Sequence, residues 1–128
     1  MPFEEGLFAY LDGYPGLTLE VGSRIYPILI PQEATFPLVT YTRISTPRLY
    51  EFERSFLPHP RFQFDCWAES YNRAKDVAAQ VRAALDLYGG AMGAYTVRVS
   101  LVDDERDVYE PETKLWHVIV DAIIWYEE

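Results

Sequence analysis

The chain has 128 residues, a net charge of −9 and one cysteine, Cys66. This length suits one domain with one hydrophobic core, and a hydrophobic fraction of 49% argues against disorder over most of the chain. A lone cysteine excludes an intrachain disulfide and suits a reducing compartment. The N-terminus lacks a basic segment followed by a long apolar run, so we predict no signal peptide. No stretch is long and apolar enough to predict a membrane span.

The acidic residues concentrate near the C-terminus. From Asp103 to Glu128 there are nine acidic and two basic side chains, against eleven acidic and nine basic in the first 102 residues. Binding to nucleic-acid phosphates needs a basic surface, so we predict that the chain does not bind DNA specifically. Aromatic residues make up 16% of the chain. Such side chains either fill a small β-rich core or form protein interfaces, and both interpretations stay open.

The first half of the chain predicts one helix and two strands. Glu4–Tyr14 has apolar residues at helical spacing and ends in a segment rich in glycine and proline. Val21–Leu29 is predicted as a short edge strand or an extended segment, because Pro27 and Pro31 cannot donate a hydrogen bond and argue against a central strand. Leu38–Ser45 has the β-branched and aromatic composition of a strand. Thr46–Pro60 is predicted as a long connection, a length that is usually functional or mobile.

The second half predicts the core of the fold. Arg61–Ala68 alternates, which places Cys66 and every second residue on the core face. Ser70–Tyr88 is the clearest helix, with Ser70 as N-cap and one continuous apolar face, ended by the pair Gly89-Gly90. Apolar residues at helical spacing form that face: Ala74, Val77, Ala78, Val81, Ala84, Leu85 and Tyr88.

The C-terminal segment predicts a hairpin. Tyr95–Val102 alternates, with Tyr95, Val97, Val99 and Leu101 inward and Ser100 outward, and Asp103–Asp107 is predicted as its polar turn. Lys114–Tyr126 is the last and longest predicted strand, apolar on both faces and therefore central in the sheet or against a neighbouring subunit. We thus predict an α+β domain spanning residues 1–128. Its mainly antiparallel sheet has four to five strands, and the long helix 70–88 and a short N-terminal helix pack on one face.

No residue pattern predicts catalysis or a bound cofactor. His117 and Asp121 share a strand face about 13 Å apart, too far to hydrogen-bond. Cys66 is predicted to lie among apolar side chains, which raise a thiol pKa and make it unreactive. An acidic group could bind Ca²⁺ or Mg²⁺ but lacks the spacing and glycine of a calcium loop, so a solvated turn is favoured. It consists of Asp103, Asp104, Glu105 and Asp107. We predict no enzyme activity, no cofactor and no metal.

Several segments occur in a recognisable order. A short N-terminal helix is followed by Gly-Ser-Arg-Ile-Tyr-Pro at residues 22–27 and by a Pro-Gln pair, a Phe-Pro step and a strand at 31–41. The strand 61–68 then leads into Ser-Tyr-Asn-Arg-Ala at 70–74 and the apolar-striped helix. This order, from Phe8 to about Leu85, resembles the phage tail-completion family of tail-to-head joining proteins, long labelled a domain of unknown function. The family is related to the tail terminators of long-tailed phages.

This resemblance implies a structural virion protein. Family members cap the growing tail tube at its head-proximal end, stop its polymerisation and form the surface that joins the head. Related terminators form rings, usually hexamers. The implied partners are further copies of the chain, the tail tube protein and a head-completion or neck protein. DNA passes through such a ring without specific binding, and no membrane is involved. The implied location is the head-proximal end of the virion tail, after assembly in the host cytoplasm.

Two groups of residues are candidates for contacts in such a ring. The first group lies in the long loop and comprises Arg48, Tyr50, Phe52, Arg54 and Phe56. This loop either contacts a neighbouring subunit or the tail, or it folds back on the sheet of its own domain. The second is the acidic group at 103–107, which either lines the lumen and repels DNA phosphates or forms a solvated outer surface. A neck or connector protein of the same assembly is an alternative function, since it can share the fold. A small dimeric α+β ligand-binding domain is another, and it predicts a pocket between helix and sheet.

Overall fold

The computed structural model describes residues 2–50 and 56–127. Within these residues the chain forms three helices, α1 to α3, which are Phe3–Asp12, Pro15–Val21 and Tyr71–Leu85. The strands, numbered β1 to β8 in chain order, are Ile25–Pro27, Leu38–Ser45, Arg48–Tyr50, Phe56–Pro58, Arg61–Ala68, Tyr88–Met92, Tyr95–Glu110 and Leu115–Glu127. Strands β2 and β5 have the predicted bounds. The α+β class is confirmed, although the sheet is larger than predicted.

Six of these strands form one mixed sheet in the order β1-β2-β5-β8-β7-β6. Strand β1 runs parallel to β2, and the other neighbours are antiparallel. The predicted four to five antiparallel strands are therefore corrected to six with one parallel pair. As predicted, β1 lies at an edge and β8 lies in the centre of the sheet. The predicted long connection contains a separate two-stranded hairpin, β3-β4.

The hydrophobic core lies between the helices and one face of the sheet. The buried residues of all three helices belong to one cluster with that face. The alternation predicted for β5 is confirmed, since Phe62, Phe64 and Cys66 are each fully buried there. Burial raises the pKa of the Cys66 thiol, the direction expected for an apolar strand face.

The region around residues 15–22 differs from its predicted structure. Helix α1 ends within the predicted glycine- and proline-rich segment, with Gly13 as its C-cap. The Pro15-Gly16 pair begins α2, because Pro15 occupies the first turn, where a missing N–H costs nothing. Leu17 and Val21, four residues apart, bury their side chains in the core. The strand predicted over Val21–Leu29 is therefore limited to β1.

Helix α3 begins as predicted and ends early. The Ser70 side chain accepts a hydrogen bond from the Arg73 backbone N–H at 3.3 Å, which caps the first turn. The helix ends at Leu85 because Asp86 has an extended backbone, and Leu87 follows with a φ of 62°. Tyr88 therefore belongs to β6 and not to the helix, and Gly89-Gly90 lies inside this edge strand.

The acidic segment Asp103–Asp107 is part of strand β7, so the predicted turn is wrong. The hairpin turns at residues 111–114, and β7, with 16 residues, is longer than β8, with 13. Irregular pairing near residues 97–99 and 102–104 changes which side chains face the core. Ser100 is consequently buried and Leu101 exposed, the reverse of the predicted alternation.

Candidate assembly surfaces

Part of the predicted acidic group faces helix α3 and is neutralised there. Glu105 and Asp107 lie opposite core-facing residues of β8, on the helix side of the sheet. The Nζ of Lys75 is 3.4 Å from Oε2 of Glu105 and 3.1 Å from Oδ1 of Asp107. Arg82 donates to Glu105 at 2.6 Å, and the Tyr71 hydroxyl donates to Asp107 at 2.9 Å. Both carboxylates are therefore held within the subunit.

The Lys75–Asp107 contact predicts a pH-dependent stability. The hydrogen bond from Lys75 lowers the pKa of Asp107, so this contact stabilises the fold above the ordinary carboxyl range and is lost as the pH falls through the folded-state pKa. We expect Lys75→Met to unfold at lower urea than the parent above about pH 5, with the difference shrinking below about pH 4. Urea melts from pH 3 to 7 measure this. In an Asp107→Asn background, the pH dependence of the Lys75→Met effect should become smaller, because only the longer contact of Lys75 with Glu105 remains.

The rest of the predicted acidic group pairs with arginine. Arg61 donates to both carboxylate oxygens of Asp103, at 2.8 and 2.6 Å, which lowers the pKa of Asp103. Arg106 contacts Asp104 and donates to Asp121 at 3.0 Å. All four predicted acidic residues thus have cationic partners within the chain. They form a paired strand where the sequence predicted a solvated turn.

The sheet face opposite the helices carries a polar cluster that the sequence did not predict. The ring of His117 lies 4.0 Å from that of Trp67, and its Nδ1 is 3.9 Å from Oδ2 of Asp65. Burial raises the pKa of Asp65, although Gln63 donates a hydrogen bond to it at 2.9 Å. Both ring nitrogens of His117 and one oxygen of Asp121 are buried without a hydrogen-bond partner among the described residues. His117 therefore lies close to Trp67 and Asp65 without a hydrogen bond to its ring nitrogens from the described residues.

The pairing of β5 with β8 is what places these polar groups together. His117 lies across from Trp67, and Asp121 lies across from Gln63. The distance along the strand correctly excluded a hydrogen bond between His117 and Asp121. The carboxylate that lies 3.9 Å from His117 belongs to Asp65, on the neighbouring strand β5. The sequence contains no signal that predicts the pairing of β5 with β8 in this register. Alternation indicates which face of the sheet a side chain occupies, but not which strand lies next to it.

The candidate interface residues of the long loop belong partly to the β3-β4 hairpin. Arg48 is exposed at the start of β3, Tyr50 ends that strand and Phe56 begins β4. Phe52 and Arg54 lie outside the described residues. The hairpin is attached next to the sheet, where His59 stacks on Trp125 with ring centroids 3.8 Å apart. The loop prediction is thus refined to a hairpin whose base contacts β8.

Several large apolar side chains remain exposed at the two edges of the sheet. At the β1 side these are Ile28, at 64%, and Leu29, at 76%, with Ile44 at the end of β2. At the β6 side they are Leu87, at 74%, and Leu101 on β7, at 37%. These residues could not be predicted from the sequence, because exposure of single aliphatic residues is common and gives no local pattern.

No metal cluster occurs in the part of the chain that the structure describes. No three His, Cys, Asp or Glu side chains in residues 2–50 and 56–127 are arranged to hold a metal ion. One surface hollow lies at the β7-β8 turn and another lies beside Phe36 and Arg73. Among the described helices, none is long and apolar enough to cross a membrane.

These features define a class of protein: an α+β domain with a six-stranded mixed sheet, internally paired charges and apolar sheet edges. The family model described as "Tail completion protein gp17" matches residues 5–127, so the chain belongs to this family. The resemblance inferred from the order of segments is confirmed. The chain is therefore a structural tail protein of phage-like particles.

A solved structure supports the same fold. A chain described as "Virion of native gene transfer agent (GTA) particle" matches with a TM-score of 0.76 and 13% sequence identity. The match covers 95% of this chain and 92% of that chain. At this identity the likeness establishes the fold alone. No curated protein matches the sequence.

Proposed function

We propose that the chain caps the tail tube at its head-proximal end and forms the surface that joins the head, as a hexameric ring. The observation that carries this proposal is the tail-completion match over residues 5–127, nearly the whole chain. In this proposal the chain is not an enzyme. Its partners are further copies of itself, the tail tube protein and a head-completion or neck protein, and its place is the head-proximal end of the virion tail.

The charge distribution supports assembly of copies that each carry −9. Repulsion between like-charged subunits opposes a ring, and salt screens it only beyond about 8–10 Å. The ion pairs of β7 with Lys75, Arg82, Arg61 and Arg106 neutralise much of the acidic segment within each subunit. The acidic segment therefore adds less repulsion than its sequence suggests. For the same reason, a free acidic lumen made by this segment is not part of the proposed function.

The β3-β4 hairpin is proposed to contact the tail tube or a neighbouring subunit. It carries aromatic and basic positions beyond the base where His59 stacks on Trp125. We expect Phe52→Asp and Phe56→Asp to weaken assembly with copies or with tails, because a buried carboxylate at an interface is costly. If both variants assemble like the parent, the hairpin is not the contact.

The mass of the purified protein in solution tests the ring directly. Light scattering over a series of protein and salt concentrations should show a discrete species near six subunits, with more assembly at higher salt because repulsion is screened. A fixed dimer at every salt concentration would instead favour the ligand-binding alternative. For a monomer, the deciding experiment is whether the protein binds purified tails that lack it and makes them competent to join heads. Failure there would count against the proposal, and binding to heads alone would favour a neck or connector protein.

A further inference from the structure

Two exposed aliphatic residues adopt a left-handed backbone at opposite edges of the sheet. Ile28 follows edge strand β1 with a φ of 64°, and Leu87 precedes edge strand β6 with a φ of 62°. L-residues rarely adopt this conformation, and a β-branched residue such as Ile28 does so least readily. Each residue is also largely exposed, at 64% and 74%. Strain that presents an apolar side chain to solvent points to a surface that a partner covers.

The β1 edge is built to make contacts through side chains. The Leu29 N–H donates to the Pro27 carbonyl at 2.6 Å, and the Ile28 N–H donates to Tyr41 at 2.9 Å, which holds the turn against the sheet. This turn exposes Leu29 at 76%, and Ile44 at the end of β2 is exposed at 51%. Pro27 has no N–H, so this edge does not readily pair with a further strand.

The loop after this turn carries a charged residue. Residues 28–37 connect the end of β1 with the start of β2, which runs parallel to β1. Glu33 lies in this loop, exposed and with a φ of 56°. The connection that follows the apolar turn therefore carries an exposed acidic side chain.

The β6 edge offers a complementary surface. The Leu87 N–H donates to the Ser100 carbonyl at 2.7 Å, which places Leu87 beside the exposed Leu101. Gly89 and Gly90 come shortly after Leu87, so this edge strand carries no side chain at two successive positions. A side chain at Gly89 would come within 2.9 Å of the Arg98 carbonyl oxygen. The β6 edge thus presents the exposed apolar side chain of Leu87 next to exposed backbone.

Exposed charged residues lie near both edges. Arg98, on the strand next to β6, is 59% exposed, and its guanidinium is 3.5 Å from Glu127, a long contact. The loop at the β1 edge carries the acidic Glu33. The acidic pair Glu105 and Asp107 is engaged by α3 and belongs to neither edge. Arg98 attracts an acidic side chain such as Glu33, while the exposed Asp86 next to Leu87 repels it, so the apolar residues, more than the charges, favour contact between unlike edges.

We propose that the β1 edge of one subunit packs against the β6 edge of the next copy of this chain. The inference rests on the proposed function, which requires copies to associate in a ring. A contact between two different surfaces repeats from copy to copy and forms a ring when the rotation between copies closes, whereas a contact of one edge with itself stops at a dimer. A standard interface takes about a tenth of a small protein's surface, roughly 700 Å² of the 7198 Å² here. The aliphatic residues form its apolar centre, and Glu33 and Arg98 lie at its rim.

Two single-edge variants test this geometry. Leu29→Asp disables the β1 edge, and Leu87→Asp disables the β6 edge. We expect each variant alone to be monomeric at concentrations where the parent assembles. When the two variants are mixed in equal amounts, the intact β6 edge of Leu29→Asp should bind the intact β1 edge of Leu87→Asp. The mixture should therefore form a 1:1 heterodimer that grows no further, measured by light scattering and sedimentation velocity.

The control keeps the sheet edges intact. Tyr109→Asp replaces an aromatic residue that is 43% exposed near the far end of β7, and we expect the parent assembly. Urea melts of all variants show that they fold. A second measurement uses the double variant Ile28→Cys/Leu87→Cys, since the native Cys66 is fully buried. A short bismaleimide should yield a ladder of cross-linked species, while each single variant should give none.

Several outcomes would overturn the proposal. Assembly that survives both aspartate variants, a dimer formed by either variant alone, or a parent-like ring without the 28–87 cross-link would each show that other surfaces make the contact. In those cases the ring, and with it the proposed function, still stands. A chain that stays monomeric and never cross-links would also overturn the edge contact, and the tail-binding experiment then decides the proposed function separately.

Discussion

Phe62→Ala is expected to lower the free energy of unfolding by about 3–5 kcal/mol, a typical cost of truncating a buried phenylalanine. Phe62 is fully buried on the core face of β5, with its ring centroid 6.0 Å from that of Phe3 and 6.2 Å from that of Phe64. The Arg43 guanidinium lies 5.2 Å from the ring centroid. The substitution would leave a cavity between β5 and the start of α1 and would remove the cation–π contact.

Urea denaturation followed by tryptophan fluorescence measures this loss. Leu19→Ala is the matched control, because Leu19 is 85% exposed and its truncation should change stability by no more than about 0.5 kcal/mol. A loss below about 1 kcal/mol for Phe62→Ala would mean that the α1 end of the core is loosely packed. Because domains of this size are marginally stable, the expected loss is large enough to reduce the yield of folded protein.

Gly6→Ala is expected to cost about 3 kcal/mol, near the upper end for an overpacked core. A Cβ at Gly6 would lie 2.3 Å from the Met92 carbonyl oxygen, far inside contact distance. The two backbones already touch, since a Cβ on Gly93 would come 2.7 Å from the Gly6 Cα. Neither side can move without displacing helix α1 from strand β6.

Gly16→Ala separates this effect from a general response to replacing a glycine. A Cβ at Gly16 would lie 2.2 Å from Oε1 of Gln80, a distance as short as that at Gly6. The neighbour there is the end of a flexible side chain, which can rotate away. We therefore expect a change of no more than about 1 kcal/mol in the same urea melts. Equal losses in the two variants would show that α1 is not held tightly against β6.

The same substitution connects stability with assembly. Helix α1 packs on β6 through Gly6, and β6 is one of the two edges proposed to contact a neighbour. Displacing α1 should therefore disturb the β6 edge and leave the β1 edge intact. In the mixing experiment, Leu29→Asp protein binds the β1 edge of Leu87→Asp protein through its intact β6 edge. Folded Gly6→Ala protein, whose β6 edge is disturbed, should bind the same β1 edge less tightly.

Local patterns determined much of the core. Alternation placed β2 and β5 with correct bounds, and the apolar stripe of α3 indicated its buried face because these periods reflect one-sided burial. The apolar character of both faces of β8 indicated its central place. The order of segments identified the family, which no single motif would have done.

Other elements depend on partners that are distant in the chain. The two glycines after α3 look like a helix stop, yet pairing with β7 makes this segment a strand. The Pro-Gly pair after α1 looks like a terminator, yet packing against α3 makes it the start of α2. A local signal for the end of one element does not determine the structure of the next segment.

The acidic segment shows most clearly what only the tertiary structure decided. From sequence alone, Asp103–Asp107 is a polar run that favours a solvated turn, and its charge counts fully toward −9. In the fold, Lys75 and Arg82 of α3 and Arg61 of β5 lie close enough to neutralise it, so the strand continues through it. Likewise, the placement of exposed Ile28 and Leu87 at opposite sheet edges is set by strand order alone. Composition and periodicity determine which side chains seek burial, whereas the long-range pairing of strands decides which charges meet and which surfaces are left for a partner.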